Sequence, residues 1–206
     1  MDNPASASEI TDKRLLRGAR TRQIVLGRAV DIASLENLES LSFGRLAMDV
    51  GLSKAGIQTL FRTKETLQLA TVDHARRMFI DAVVRPAQSK PPGAQRLREL
   101  IARWIDYAET PLFAGGCFQA ANLSEFDSRP GPVQDALASY QQEWIYALSH
   151  ELRQAIVAGE IADLDADLVA FQLDAILRSA NTALRLGDTT AVEKIHRTVD
   201  GVLGSR

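Results

Sequence analysis

The sequence predicts an all-α protein in which an N-terminal three-helix unit, containing a helix-turn-helix, precedes a larger C-terminal helical domain. Apolar residues recur at the three- and four-residue spacing of helices through most of the 206 residues. Glycine and proline separate these segments, and no alternating strand pattern of convincing length occurs. We therefore expect about nine helices, with residues 1–15 forming a disordered arm, residues 16–64 the first domain and residues 65–206 the second.

The stretch from Ser42 to Lys64 predicts the helix-turn-helix itself. Apolar residues mark one face of each helix: Phe43, Leu46, Ala47 and Val50 in the first, and Ile57, Leu60 and Phe61 in the second. Gly51 between them accepts the positive φ of a tight turn, and the Ser53 hydroxyl can cap the second helix. We expect that second helix at residues 54–61, with Ile57 and Phe61 pointing inward.

The charge is distributed unevenly between the two predicted domains. From Lys13 to Lys64, ten Lys and Arg residues face four acidic residues, a net charge of +6, whereas the whole chain carries −2. The remainder is therefore acidic, with a net charge of −8. Because the basic residues flank a helix-turn-helix, this asymmetry favours a nucleic acid as partner over a merely solvated tail.

The other elements follow from the same periodicity. Residues 1–15 are small, polar and unpatterned. The basic residues at the end of this arm and just after it, Lys13, Arg14 and Arg17, either follow a DNA groove or contact nothing specific. The first helix is expected at residues 20–35, and a long helix capped by Thr63 should run to about residue 85, where Pro86 ends it. After a loop at residues 86–93, the predicted segments are residues 94–109, 117–125, 132–158, 165–186 and 189–203.

The helix-turn-helix region resembles a known family over residues 20–70. Ten positions carry the resemblance: Ala47, Gly51, Leu52, Ser53, Lys54, Ile57, Phe61, Lys64, Glu65 and Leu67. Together with the apolar Ala29 and Ile32, and with Asn37 where a Gly is usual, they resemble the TetR/AcrR family of transcriptional regulators. Two positions depart from the family: Gln58 stands where a Tyr is usual, and Leu60 where a His is common.

The resemblance implies a ligand-responsive regulator, most simply a repressor, that binds a palindromic double-stranded DNA operator as a homodimer and is released by a small-molecule effector. Gln58 is the candidate base reader, because its amide can pair with adenine, and Thr59 can touch a thymine methyl. For Ser53 and Thr63, helix capping alone explains the residue equally well. The expected DNA-binding residues are Ser42, Arg45, Ser53, Lys54, Ala55, Gln58, Thr59, Arg62, Thr63 and Lys64.

The acidic domain carries two further expectations from the resemblance. A ligand pocket is expected among its aromatic residues, although aromatic residues at helical spacing also form plain core: Trp104, Tyr107, Phe113, Cys117, Phe118, Trp144 and Phe171. The last two helices are expected to pair with those of a second copy, although they also suit packing within one chain. The expected interface residues are Gln172, Ala175, Ile176, Ser179, Ala183, Ile195 and Val199.

Other classes of protein find little support in the sequence. His74, His150 and His196 belong to no metal-ligand pattern, Cys117 is the single cysteine, and no phosphate-binding glycine motif occurs. No apolar run approaches the ~18 residues of a membrane span, and the N-terminus lacks the order of a signal peptide, so we expect a cytoplasmic protein without a cofactor. An all-α enzyme, or a DNA-binding activator without effector-induced release, remains the alternative.

Overall fold

The computed structural model describes the backbone of residues 4–204 and the side chains of residue 16 and residues 18–204. Within that range the chain is all-α, as predicted, with nine helices and no strand. Three helices form the N-terminal part, here called the head: α1 (Pro4–Glu36), α2 (Phe43–Val50) and α3 (Lys54–Phe61). Six form the body: α4 (Lys64–Phe79), α5 (Ala94–Glu109), α6 (Phe118–Phe126), α7 (Pro132–Val157), α8 (Ala166–Arg185) and α9 (Ala191–Leu203).

The packing joins head and body into one structure. Helix α1 packs against α4 and α6, α4 packs against α7, and α8 lies between α7 and α9. The buried apolar side chains of the described residues form one continuous cluster that runs from α1 to α9. The head therefore shares its core with the body. Among the described residues, no helix combines the length and the hydropathy of a membrane span.

Helix α1 begins well before its predicted start at residue 20. It starts at Pro4, so the backbone of residues 4–15 is helical where a disordered arm was expected. Residues 5–17 contain neither glycine nor proline, and Pro4 suits the first turn of a helix. Residues 1–3 and the side chains of Lys13, Arg14 and Arg17 lie outside the described part, so the predicted groove contact stays a prediction.

The end of α4 also differs from the prediction that Pro86 terminates it. A π-helical turn, Ile80–Val84, continues α4 and is followed by one α-helical turn, Arg85–Ala87. In the π turn the Arg85 N–H donates to the Ile80 carbonyl five residues back. Pro86 lies in the first turn of the short segment that follows, where its missing N–H costs little. The helical rod therefore passes through Pro86 and ends at Ala87.

Candidate nucleic-acid interface and ligand cavity

The turn between α2 and α3 has the predicted geometry. Gly51 takes the left-handed conformation, with φ 68° and ψ 33°, and the Leu52 N–H donates to the Ala47 carbonyl at 2.9 Å. The Ser53 hydroxyl accepts a hydrogen bond from the Gly56 N–H at 3.0 Å and so caps α3. Ile57 and Phe61 are fully buried beneath α3, as predicted. These contacts fix α3 on the head with its opposite face toward solvent.

The outward face of α3 carries five of the expected DNA-binding residues. All five are exposed: Lys54, Ala55, Gln58, Thr59 and Arg62. Within the described residues, the side chains of Lys54, Gln58 and Arg62 make no hydrogen bond, so their polar atoms are available to a ligand. The Thr59 hydroxyl donates to the Ala55 carbonyl at 2.8 Å, which leaves the Thr59 methyl group for contact.

Arg62 ends α3 in a conformation that L-residues rarely adopt. Its φ is 60° and its ψ −59°, and its N–H donates to the Gln58 carbonyl at 2.7 Å. Strained residues persist only where the surrounding fold holds them in place, and they are concentrated at functional sites. The sequence alone gave no signal for this conformation.

Three of the expected DNA-binding hydroxyls act as helix caps. Ser42 accepts from the Arg45 N–H at 3.2 Å, and Thr63 accepts from the Thr66 N–H at 3.1 Å, in the same way that Ser53 caps α3. Capping was the alternative left open for Ser53 and Thr63, and the structure confirms it. Contact of these hydroxyls with DNA phosphate remains a prediction.

Two expected phosphate contacts, Arg45 and Lys64, form ion pairs with acidic side chains at the end of α1 and in the segment that follows it. Arg45 forms a two-pronged ion pair with Glu36, at 2.5 and 2.6 Å. The Lys64 ammonium donates to the Glu39 carboxylate and to the Glu39 carbonyl, both at 2.6 Å. These hydrogen bonds are the main reason that the pKa values of the two glutamates lie below their usual range. Both cations are therefore already paired with carboxylates in this structure, and their contact with DNA phosphate remains a prediction.

The same segment is tied to the body through α6. The Leu38 N–H donates to the Asn122 Oδ1 at 2.7 Å, and the Asn122 Nδ2 donates to the Ala33 carbonyl at 3.1 Å. Nearby, the Gly115 N–H donates to the Ser34 hydroxyl at 2.8 Å. A Cβ at Gly115 would lie 2.0 Å from the Ser34 carbonyl oxygen, so only glycine allows this approach. These contacts join α6 and the residues just before it to the end of α1 and to the segment that follows it.

The expected ligand-binding residues divide into two groups. Five of them are buried in the body: Trp104, Tyr107, Phe113, Phe118 and Trp144. Tyr107 packs edge-on against Phe113, which packs edge-on against Phe118, and Cys117 is half-buried beside them. Phe171 is 57% exposed on the outer face of α8 and does not join this cluster. Its predicted place in the pocket is therefore wrong, because the neighbouring α8 residues Leu173 and Leu177 face the core instead.

A cavity of about 190 Å³ lies between the end of α4 and α7. Trp144 is the expected ligand residue that lines it, together with six residues that the sequence analysis missed: Phe79, Ile80, Val84, Tyr140, Glu143 and Ala147. Two of these, Ile80 and Val84, begin and end the π turn. A larger pocket of about 470 Å³ lies among α6, α7 and α8, and none of the expected ligand residues lines it.

The expected dimer interface is only partly available. Gln172, Ala175 and Ser179 are exposed on α8, and Ile176 and Ala183 are half-buried. Ile195 and Val199 are 1% and 4% exposed, because the apolar stripe of α9 packs inward against its own chain. These two residues are therefore corrected to core positions. The exposed face of α8 instead continues into Leu168 and Leu186, which are 52% and 83% exposed.

This architecture is similar to that of known proteins. A family model described as the C-terminal domain of tetracyclin repressor-like proteins matches residues 93–199, just over half of the chain. No curated protein matches by sequence. A TetR transcriptional regulator from Chloroflexus aurantiacus is similar in structure, with a TM-score of 0.82 at 23% identity over 90% of this chain and 94% of that one.

Two further solved structures have the same fold. SCO4454, a TetR-family transcriptional regulator from Streptomyces coelicolor, has a TM-score of 0.75 at 26% identity over 91% of this chain and 95% of that one. AibR, solved in complex with isovaleryl coenzyme A and operator DNA, has a TM-score of 0.74 at 18% identity over 90% of this chain and 99% of that one.

Proposed function

We propose a function from one premise: the chain belongs to the TetR family of transcriptional regulators. We propose that it is a repressor that binds a palindromic operator as a homodimer and that a small-molecule effector releases it. In this proposal residues 16–64 bind DNA, and residues 65–206 bind the effector and form the dimer.

The observation that carries the proposal is the outward face of α3. The side chains of Lys54, Gln58 and Arg62 are exposed and form no hydrogen bond within the described residues, on a short helix whose inner face is anchored by Ile57 and Phe61. A helix held in this way can enter a major groove without first breaking internal contacts. Gln58 would read adenine, and Lys54 and Arg62 would contact phosphates.

The exposed face of α8 supports the dimer. Its members recur at alternating spacings of four and three residues: Leu168, Gln172, Ala175, Ser179, Thr182 and Leu186. That spacing produces a straight seam between two helices, and the small Ala175 and Ser179 allow close approach. Phe171 borders the seam and would be covered by the partner. This face takes the place of Ile195 and Val199 in the proposed interface.

The effector would act by population shift. The dimer has two states: one whose α3 helices match successive major grooves and one whose α3 helices do not. A ligand in the body favours the second state, and it shifts the equilibrium only as far as its affinities for the two states differ. The AibR complex, with isovaleryl coenzyme A and operator DNA, supports the idea that this fold accommodates both kinds of ligand. We propose the aromatic cluster of the body, with Trp144 at its cavity, as the effector site.

Selection from a random-sequence DNA pool at two salt concentrations tests the proposal. We expect enrichment of a palindrome whose half-sites lie about one helical turn apart, ~34–36 Å. Binding should weaken steeply as salt rises, because Lys and Arg contacts to phosphate release counterions. Failure to enrich any sequence, with little binding at low salt, would overturn the DNA-binding function.

Ala175→Arg tests the dimer. Two arginines facing each other across a two-fold seam repel, so we expect monomers in sedimentation velocity at concentrations where the wild type is dimeric. Ala102→Arg, at an exposed alanine of α5, is the matched control and should leave the dimer intact. A dimer that persists in Ala175→Arg would place the interface on another face.

A further inference from the structure

The cavity between α4 and α7 has walls suited to an aromatic ligand. The Phe79 ring meets the Trp144 ring edge-on at 5.3 Å between centroids and the Tyr140 ring at 5.8 Å. Ile80, Val84 and Ala147 complete the walls with aliphatic groups. A ring entering this space meets the faces and edges of three aromatic side chains, the arrangement in which aromatic pairs gain energy beyond their buried area.

The π turn gives the cavity its shape. Ile80 and Val84 are its first and last residues, and both line the cavity. π turns of this kind are rare and occur often at functional sites. Here the turn also lies in the rod that begins at Lys64, directly after α3.

One polar atom in the wall has no partner. Tyr140 is only 4% exposed, and its hydroxyl forms no hydrogen bond with any described residue. Burial raises the pKa of Tyr140 well above its usual range, so the hydroxyl keeps its proton at neutral pH. The hydroxyl is therefore available to form a hydrogen bond with a ligand oxygen placed beside it.

The remaining polar group of the wall is already neutralised. The Glu143 carboxylate accepts a hydrogen bond from the Arg76 Nε at 2.6 Å, and Glu143 lies at the exposed rim. A charged ligand would have to break this ion pair or enter apolar surroundings unpaired, and both are unfavourable. The cavity therefore selects for a neutral molecule.

The volume limits the size of the occupant. An apolar protein cavity of about 150 Å³ holds benzene, so about 190 Å³ suits one substituted ring or two small fused rings. The 470 Å³ pocket among α6, α7 and α8 does not restrict its occupant in the same way. Its walls include Asp127, Gln134 and Asp135, so they do not select one ligand class.

We propose that this cavity binds a neutral aromatic molecule of one or two rings with one oxygen substituent that hydrogen-bonds to the Tyr140 hydroxyl, and that this molecule is the effector. The second clause rests on the proposed regulatory function, whereas the first stands without it. Filling the cavity fixes the π turn, and the α4 rod carries the change to Thr63 and to the end of α3.

Binding of two probes to the full chain tests the site. The probes are p-cresol and toluene, which differ by one hydroxyl group. Binding is followed by calorimetry and by the change in tryptophan fluorescence, to which Trp144 in the cavity wall contributes. We expect wild type to bind p-cresol more tightly than toluene. Ala147→Leu, which fills the cavity, should weaken both by at least about tenfold. Val84→Phe fills it from the opposite wall and replaces Ala147→Leu if that variant does not fold.

The role of the hydroxyl has its own variant. Tyr140→Phe should remove the preference for p-cresol, a change of roughly 2- to 10-fold, while leaving toluene binding intact. Tyr146→Phe removes a hydroxyl from the same helix at a 63% exposed position and should change neither affinity. A preference that survives in Tyr140→Phe, equal binding by the filled variants, or no binding of either probe to wild type would overturn the site.

The effector role is separated by adding p-cresol to a complex with the selected operator. We expect release from the wild type and none from Ala147→Leu. If p-cresol binds the protein but leaves the operator complex unchanged, the effector clause fails and the site stands. If the protein without any probe binds no DNA, the regulatory function fails independently of the cavity.

Discussion

The head and the body use buried aromatic residues differently. In the head, α3 rests on Ile57 and on one aromatic ring, Phe61, over which the Arg22 guanidinium lies at 5.0 Å. In the body, Phe79 alone contacts three other aromatic rings. The head therefore seats α3 on a single aromatic ring, whereas the body gathers several rings around a cavity. In the proposed function this difference assigns DNA reading to an outer surface and ligand recognition to the interior.

Removing the ring beneath α3 should have the largest effect. Phe61→Ala should cost about 3–5 kcal/mol, because it removes a fully buried ring and leaves a cavity beneath the eight-residue helix. We expect fast amide hydrogen exchange throughout residues 54–61 and loss of DNA binding. Phe113→Ala, an equally buried ring in the body, is the matched control. If it accelerates exchange in α3 to the same extent, head and body unfold as one unit.

The head was accessible to sequence reasoning because its signals are local. Ser53 and Thr63 predict the starts of helices. Gly51 and Asn37 predict positive φ angles, which the structure confirms at 68° and 71°. Each signal depends on residues within one turn of the chain. For that reason the bounds of α3 match the predicted 54–61 without adjustment.

The body resisted prediction because its features depend on which helix face meets which neighbour. Helix α8 has two apolar faces, and sequence periodicity does not reveal that Leu173 turns inward while Phe171 turns outward. The π turn and the lining role of Tyr140 arise from packing between α4 and α7, which are distant in sequence. The ion pairs of Glu36 and Glu39 were missed for the same reason, since their partners lie 9 and 25 residues away.

Gln58 tests whether the head reads bases. Gln58→Ala should relax the preferred sequence at one position of each half-site, at a cost of about 1–3 kcal/mol on the preferred site only. Binding to unrelated sequences should hardly change, because no phosphate contact is removed. Selection and sequencing of bound DNA with both proteins measures this. An unchanged preferred sequence would assign base reading to another residue of α3.

Glu39 tests whether the head is restrained by its own acids. Glu39→Gln removes the carboxylate charge from Lys64, so we expect DNA to bind up to about fivefold more tightly at all sequences, the scale of an exposed ion pair. The gain should vanish in the Lys64→Ala background. In that background the slope of the logarithm of the binding constant against the logarithm of salt concentration should also become smaller by about one. Titrations of one duplex with the four proteins complete the cycle.

A matched control separates this ion pair from the general loss of negative charge. Glu65 is exposed in the first turn of α4 and forms no ion pair within the described residues. Glu65→Gln therefore removes one negative charge next to Lys64 and leaves the ion pair between Lys64 and Glu39 intact. If Glu65→Gln tightens DNA binding as much as Glu39→Gln does, the effect comes from the loss of one negative charge, and the Glu39–Lys64 ion pair has no special role.

The smallest effect concerns how helices begin near the head and at the far end of the body. Serine and threonine hydroxyls, which do not titrate, cap α2 and α3 of the head and α4, the first helix of the body, whereas the turn before α9 is closed by the Asp188 carboxylate. Hydrogen bonds from Thr190 and Lys194 lower the pKa of Asp188 to about 2. Because the folded pKa lies below the unfolded one, this contribution is complete above the ordinary aspartate value and is lost as the pH falls toward 2. In acid titrations of unfolding free energy, Asp188→Asn should therefore be slightly less stable than wild type at pH 5 and indistinguishable from it near pH 2. A difference that stays constant over this range would mean that the turn is closed without the carboxylate charge.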